Sequence, residues 1–184
     1  MSEQLFASAG LTIGQVNAIV KKLGGEQGAM QFLRGYSEIT VVKHVIDMDA
    51  KPLIPYDGWK VEEHKKGGQL EWTPTGFRLH LSANQAEHKS IEGYKLRKEL
   101  ANEPVLNANL LDYLLEHPHL IPEDWKVDEQ GRTRYIYFWG TIYRVSDVNL
   151  SVRYLHWNGG HWKAWYNWFN DVFGVQSPSL LLAR

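Results

Sequence analysis

Hydrophobic positions along the chain divide it into short helical and extended stretches. Thr12-Ile13-Gly14-Gln15 matches a capping box, in which the Thr hydroxyl and the Gln side chain satisfy free amides of a first helical turn. Val16, Ile19, Val20 and Leu23 follow at helical spacing, and Gly24-Gly25 ends that helix. A second short helix is expected over residues 26–34, burying Met30 and Leu33 or Phe32, with Gly35 as its stop. Residues 39–46 (ITVVKHVI) are rich in β-branched side chains and predict a strand. Residues 59–63, 69–72 and 77–81 predict three more strands, joined by Lys65-Lys66-Gly67-Gly68 and Thr73-Pro74-Thr75-Gly76, which together suggest a small central meander. Ser90 predicts the cap of a helix reaching Leu100. The run LNANLLDYLLEHP predicts a stronger one, with a stripe of Leu106, Leu110, Leu111, Leu114 and Leu115 stopped by Pro118.

The C-terminal third has a different texture. Five of the eight tryptophans lie between Trp139 and Trp168, and residues 135–173 hold 13 of the 23 aromatic side chains. RYIYFWGTIYR, NLSVRYLHW and HWKAWYNWF alternate as three strands of an antiparallel meander, the last two joined by a good hairpin turn, Asn158-Gly159-Gly160. The spacing of Trp162, Trp165 and Trp168 also suits a helix, but the preceding turn favours a strand. After Gly174, Leu180 to Leu182 should dock back onto the body. The expected fold class is α+β: an N-terminal helical hairpin (1–35), then one α+β domain (36–184) of small antiparallel β-meanders and two central helices packed on the aromatic-rich C-terminal meander.

Alternation places Trp162, Ala164, Tyr166 and Trp168 on one face of the last strand, and His161, Lys163, Trp165, Asn167 and Phe169 on the other. The first strand offers Tyr135, Tyr137, Trp139, Thr141 and Tyr143 to one side. If one sheet face is buried on the Leu-rich helix, the other displays Trp and Tyr beside Arg, His, Lys or Asn. Such surfaces suit sugar rings or nucleobases. The competing reading is a core on both faces, with the rings filling space. The leading functional expectation is a noncatalytic binding or interaction module. Its ligand site is assigned to Tyr154, His156, Trp157, His161, Trp162, Trp165 and Trp168, facing a small ring-bearing ligand (sugar or nucleotide) or a protein partner.

Composition narrows the alternatives. Lys and Arg number 20 against 21 Asp and Glu, for a net charge of -1, without the basic stripe of a duplex-binding protein. There is no cysteine, which excludes disulfides and thiolate chemistry. No apolar run approaches the roughly 18 residues of a membrane span, and MSEQLFASAG lacks the pattern of a secretory signal, so a cytoplasmic location is expected. No nucleophile elbow, Walker motif or dinucleotide fingerprint is present, and no cofactor or metal is expected. His156 and His161 flank the hairpin turn, but zinc needs three or four ligands and only Asp171 is near. His117 and His119 read as the polar end of a helix. A small metal-dependent hydrolase or transferase would use Asp47 and Asp49, two apart after a strand, or the acid-base group Glu62, Glu63 and His64. A DNA-binding regulator would use residues 1–35. Small sheets with edges to protect also allow a homodimer.

The strings VIDMDAKPLIPYDGWKVEEHKKGGQLEW, IEGYKLRKEL, VLNANLLDYLLEHPHLIPEDWK and YFWGTIYR resemble an uncharacterised family of hypothetical proteins from uncultured candidate-phylum, environmental bacteria. The opening LTIGQVNAIVKKLGGEQGAMQFLRG resembles a short N-terminal element of such proteins. The resemblance implies a bacterial origin. It carries no activity and no site residue.

Overall fold

The computed structural model describes residues 10–38, 40, 42–86, 89–145 and 149–183. The chain forms two compact units, Met1–Val42 and Lys43–Arg184. Among the described residues no helix is long and apolar enough to cross a membrane.

In the first unit, α1 (Ile13–Lys22) begins at the expected capping box. Thr12 Oγ1 accepts the Gln15 amide, and Gln15 Oε1 accepts the Thr12 amide at 2.8 Å. Gly24, at φ 90°, takes the left-handed conformation that separates α1 from α2 (Gly25–Leu33). Neither helix contains a fully buried residue, so the expected burial of Met30 with Leu33 or Phe32 is not found: Met30 and Leu33 are 42% and 75% exposed, and Phe32 is half-buried.

The second unit runs β1 (Val45–Asp47), β2 (Lys60–His64), β3 (Gln69–Glu71), β4 (Phe77–His80), β5 (Ile91–Glu92), α3 (Gly93–Glu99), α4 (Ala108–Glu116), two 3-10 turns (Pro118–Leu120 and Glu123–Trp125), β6 (Tyr135–Arg144), β7 (Leu150–Trp157), β8 (Trp162–Trp168), β9 (Val172–Phe173) and β10 (Ser179–Leu182). The molecule is α+β, and its C-terminal aromatic segment is the antiparallel meander β6–β7–β8. Its last member is a strand rather than a helix, as the hairpin turn before it requires.

Several expectations are corrected. Strand β1 is much shorter than residues 39–46; positions 39 and 41 lie outside the described residues. The central strands do not form a meander. β3 pairs with β1, β4 with β10 and β2 with β6, because the loops between them carry each strand to a different edge. The helix expected from Ser90 starts only at Gly93, since Ile91 and Glu92 pair with β9.

β6 is the axis of the main sheet, whose order is β4–β10–β6–β7–β8 with β2 also on β6. One edge of β6 carries β7. The other is shared: β10 pairs in parallel near Tyr137 and β2 pairs antiparallel from Thr141 to Arg144. Between them the strand is irregular, and its register against β7 shifts between Tyr137 and Ile142. Alternation therefore changes phase. Tyr135, Tyr137 and Trp139 pack with Ile142 on one face, whereas Thr141 and Tyr143 point to the other, not with the first three as expected from an unbroken strand.

Both sheet faces are buried. On one, Ile136, Phe138, Leu155 and Leu180 pack with Leu110, Leu111 and Leu114 of α4, together with Trp72, Phe77 and Trp125. On the other, Tyr137, Trp139, Val152, Tyr154 and Leu181 pack with Leu96 of α3, Leu100 at its C-cap, Ile91, Phe169 and Phe173. α4 owes its place to its leucine stripe and to Asn107, whose side chain caps it by accepting the Asn109 amide at 3.1 Å. Arg153, 5% exposed, reaches α4 from β7 and holds Asp112 with two bonds of 3.0 and 2.6 Å.

Two substitutions test this frame by urea unfolding. Asp112→Ala leaves a buried guanidinium without its counter-charge and should cost about 3 kcal/mol. A Cβ at Gly140 would lie 2.8 Å from the Leu106 carbonyl carbon and the Asn107 nitrogen, so Gly140→Ala should cost roughly 2 kcal/mol by forcing backbone apart.

Candidate functional site

The seven residues assigned to ligand binding separate onto different surfaces, because alternation sends them to two faces that are both covered. Tyr154 is a core residue, 9% exposed, with ring contacts to Tyr135 (5.4 Å) and Tyr137 (5.0 Å). Burial, and then Tyr135, push its hydroxyl up to about 12. His156 lies on the same face, half-buried against Tyr154, and its buried Nδ1 has no hydrogen-bond partner among the described residues. Trp168 packs into the cluster of Trp59 and Tyr166. Trp165 is 53% exposed, with the Tyr166 ring parallel to its own at 5.5 Å and Tyr56 at 6.3 Å. Apart from the pair of Tyr154 and His156, Trp157, His161 and Trp162 are the members that come together. The expectation of one continuous ring face is therefore corrected: it required a sheet covered on one side, and α3, β5 and β9 cover the second.

Trp157 and Trp162 are cross-strand partners beside the Asn158–His161 turn, and their indoles meet edge to face at 5.5 Å. A groove of about 380 Å³ opens there, lined by Leu115, Pro118, Glu123, Lys126, Gly160 and His161 with the two indoles. The Lys126 ammonium sits 3.9 Å from the centre of the Trp157 ring. It also donates to both Glu123 oxygens, at 2.9 and 2.7 Å. One wall is thus aromatic and apolar, the other a neutralised ion pair, and His161 stands exposed at the mouth. Lys126 and Glu123 were not singled out from sequence. The signal was their spacing of three after Pro122, which a turn of 3-10 helix converts into a pair.

The other candidate groups are held by structural bonds. Asp49 Oδ1 accepts the amides of Gly67 and Gly68, both at 2.9 Å, and the Gly68 amide foremost keeps its carboxyl below the usual range. Asp47 Oδ1 accepts the Asp49 amide. Glu62 is bound by two nitrogens of Arg144 (2.7 and 2.6 Å), and Glu63 pairs with Arg97. His64 uses both ring nitrogens: Nε2 donates to the Met48 carbonyl (3.1 Å), and Nδ1 accepts from Thr141 Oγ1 (2.8 Å), which itself accepts the Ala108 amide (3.0 Å). This fixes β2, β6 and the start of α4 and leaves no nitrogen for proton transfer. His117 ends α4, its Nδ1 on the Tyr113 carbonyl at 3.0 Å, and the rings of His44 and His119 lie within 5.6 and 6.1 Å of it. Among the described residues, no group of three His, Cys, Asp or Glu could hold a metal ion.

No family model, no curated protein and no solved structure matches the chain.

Two imidazoles give a pH dependence of known sign. His156 is shifted below its ordinary 6.5 by burial and then Lys163, and His80 by burial and then Arg78. The unfolded chain takes up these protons first, so stability is full above 6.5 and declines as pH falls through that value towards the folded-state values. Urea midpoints at about pH 7.5 and about pH 5.5 should show the loss, and His156→Gln should reduce it.

Proposed function

We propose that the chain is a noncatalytic binding module whose ligand site is the groove of Trp157, His161 and Trp162. The observation carrying this reading is the convergence of two indoles, an ion pair and an imidazole on one groove of about 380 Å³. That volume falls within the range of small-molecule sites, roughly 300 to 1,000 Å³. The indoles offer apolar surface to the C–H groups of a ring. Glu123, Lys126 and His161 offer acceptors and donors for its substituents. Lys126 is neutralised by Glu123, so among the described residues a phosphate would find no unpaired Lys or Arg in the groove lining. A neutral, hydroxylated ring fits these groups better than a nucleotide. The side chains of Asp47, Asp49, Glu62, Glu63 and His64 support the hydrolase alternative poorly, since each is engaged in a bond that holds the fold.

Titration of intrinsic tryptophan fluorescence with a panel of neutral mono- and disaccharides, and with nucleotides for comparison, tests this. A sugar should bind, and Trp157→Ala and Trp162→Ala should each weaken it at least about tenfold, as expected for losing a buried aromatic contact. Trp165→Ala, outside the groove lining, should leave it unchanged. Nucleotide binding in preference to sugars would displace the sugar assignment. Equal binding by the Trp157→Ala variant, or no binding by any member of the panel, would remove the groove as the site.

A further inference from the structure

β8 is the last strand of the main sheet, and among the described residues no strand pairs with its outer edge. Which backbone groups face outward follows from the bonds at its two ends. The Asn158 amide donates to the His161 carbonyl, and the Phe169 amide to the Leu150 carbonyl, both at 3.0 Å. Residues of odd number therefore bond inward to β7, and those of even number turn N–H and C=O outward. Trp168 closes its own pair on Asp171: its amide donates to Asp171 Oδ2 (3.0 Å) and its carbonyl accepts the Asp171 amide (3.1 Å). Trp162, Ala164 and Tyr166 have no such closure among the described residues.

We propose that this edge pairs with the same edge of a second copy of the chain, antiparallel about a two-fold axis at Ala164. The neighbouring two-fold registers are poorer. An axis at Lys163 would set Lys163 directly against the partner's Lys163, a like-charge pair. An axis at Trp165 would set Trp162 against the partner's Trp168, whose backbone groups Asp171 already occupies. An axis at Ala164 joins Ala164 to the partner's Ala164 and Trp162 to the partner's Tyr166, and every outward group finds a partner.

That register also resolves the outer side chains. Lys163 falls opposite the partner's Trp165, and Trp165 opposite the partner's Lys163. Both are exposed residues, and Trp165, at 53%, is the most exposed tryptophan. Tyr56 and Tyr166 hold its ring at the edge, and a lysine ammonium is a suitable cover for an indole. A lysine on an edge strand ordinarily discourages sheet extension. Here it selects one register: the charge is accommodated only where it meets an indole, and a two-fold satisfies both copies at once.

Sedimentation velocity over a concentration series, on the full chain, tests the pairing. The chain should associate to a dimer. Trp165→Lys places ammonium against ammonium and should weaken the dimer at least tenfold, and adding Lys163→Glu to it should restore association through crossed ion pairs. Ala164→Pro removes an outward amide without touching the β7 ladder and should abolish the dimer. Far-UV circular dichroism checks that each variant is folded; should Ala164→Pro not fold, the charge exchange decides. A chain monomeric at every concentration overturns the proposal. So does a dimer indifferent to Trp165→Lys, or one strengthened by it, which would make the indole a guard of the edge.

Discussion

At Gly140 the backbone of the longest strand touches two other segments at once. Its amide donates to the Leu106 carbonyl at 2.9 Å and its carbonyl accepts the Lys65 amide at 2.7 Å. A side chain could stand there only by displacing the Leu106–Asn107 peptide, which takes the space a Cβ would fill. The approach brings Asn107 to the head of α4, where its side-chain amide also binds the carbonyls of Met48 (2.8 Å) and Lys65 (2.9 Å). It also lies within the shift of register that turns Thr141 towards His64. The seat of α4, the course of β2 and the division of β6 between its two edge partners depend on this one position.

Local signals in the sequence identified elements well and partners poorly. The capping box of Thr12 and Gln15, the leucine stripe ended near Pro118 and the Asn158-Gly159-Gly160 turn each act over a few residues, so each was legible. The pairing of β2, β3 and β4 was not. Each is short and each alternates, so nothing in Phe77 to His80 states that its partner is Leu180 rather than the strand before it. The phase change at Gly140 was hidden for a related reason. A glycine inside a strand pattern can mark a close approach, but what approaches is distant in sequence.

The candidate site shows the same division. Aromatic density pointed to the β7–β8 hairpin, and Trp157, His161 and Trp162 meet at its tip. The count of rings could not assign them to faces, because it could not foresee that Leu96, Leu100 and Phe173 cover the second side of the sheet. Tyr154 is a packing residue for that reason, and Trp168 is one on the other face, where Trp59 and Tyr166 meet it. The groups completing the groove, Glu123 and Lys126, come from the turn after α4. They are brought there by Trp125, which is buried against Trp72 and fixes the turn in place.

The position of β10 bears on synthesis as well as on architecture. It lies between β4 and β6, and its pairing of Leu180 with Leu79 joins residues about 100 apart. A nascent chain that has emerged only as far as β9 holds β4 and β6 without the strand that joins them. It can form the β6–β7–β8 hairpins and the β2–β6 pairing, but β4 and the part of β6 beside Tyr137 stay unpaired, with Phe77, Ile136 and Phe138 lacking Leu180. During translation the chain would therefore pass through a stage of open sheet edges that ends only when Leu182 clears the ribosome, the interval in which a holding chaperone would matter most.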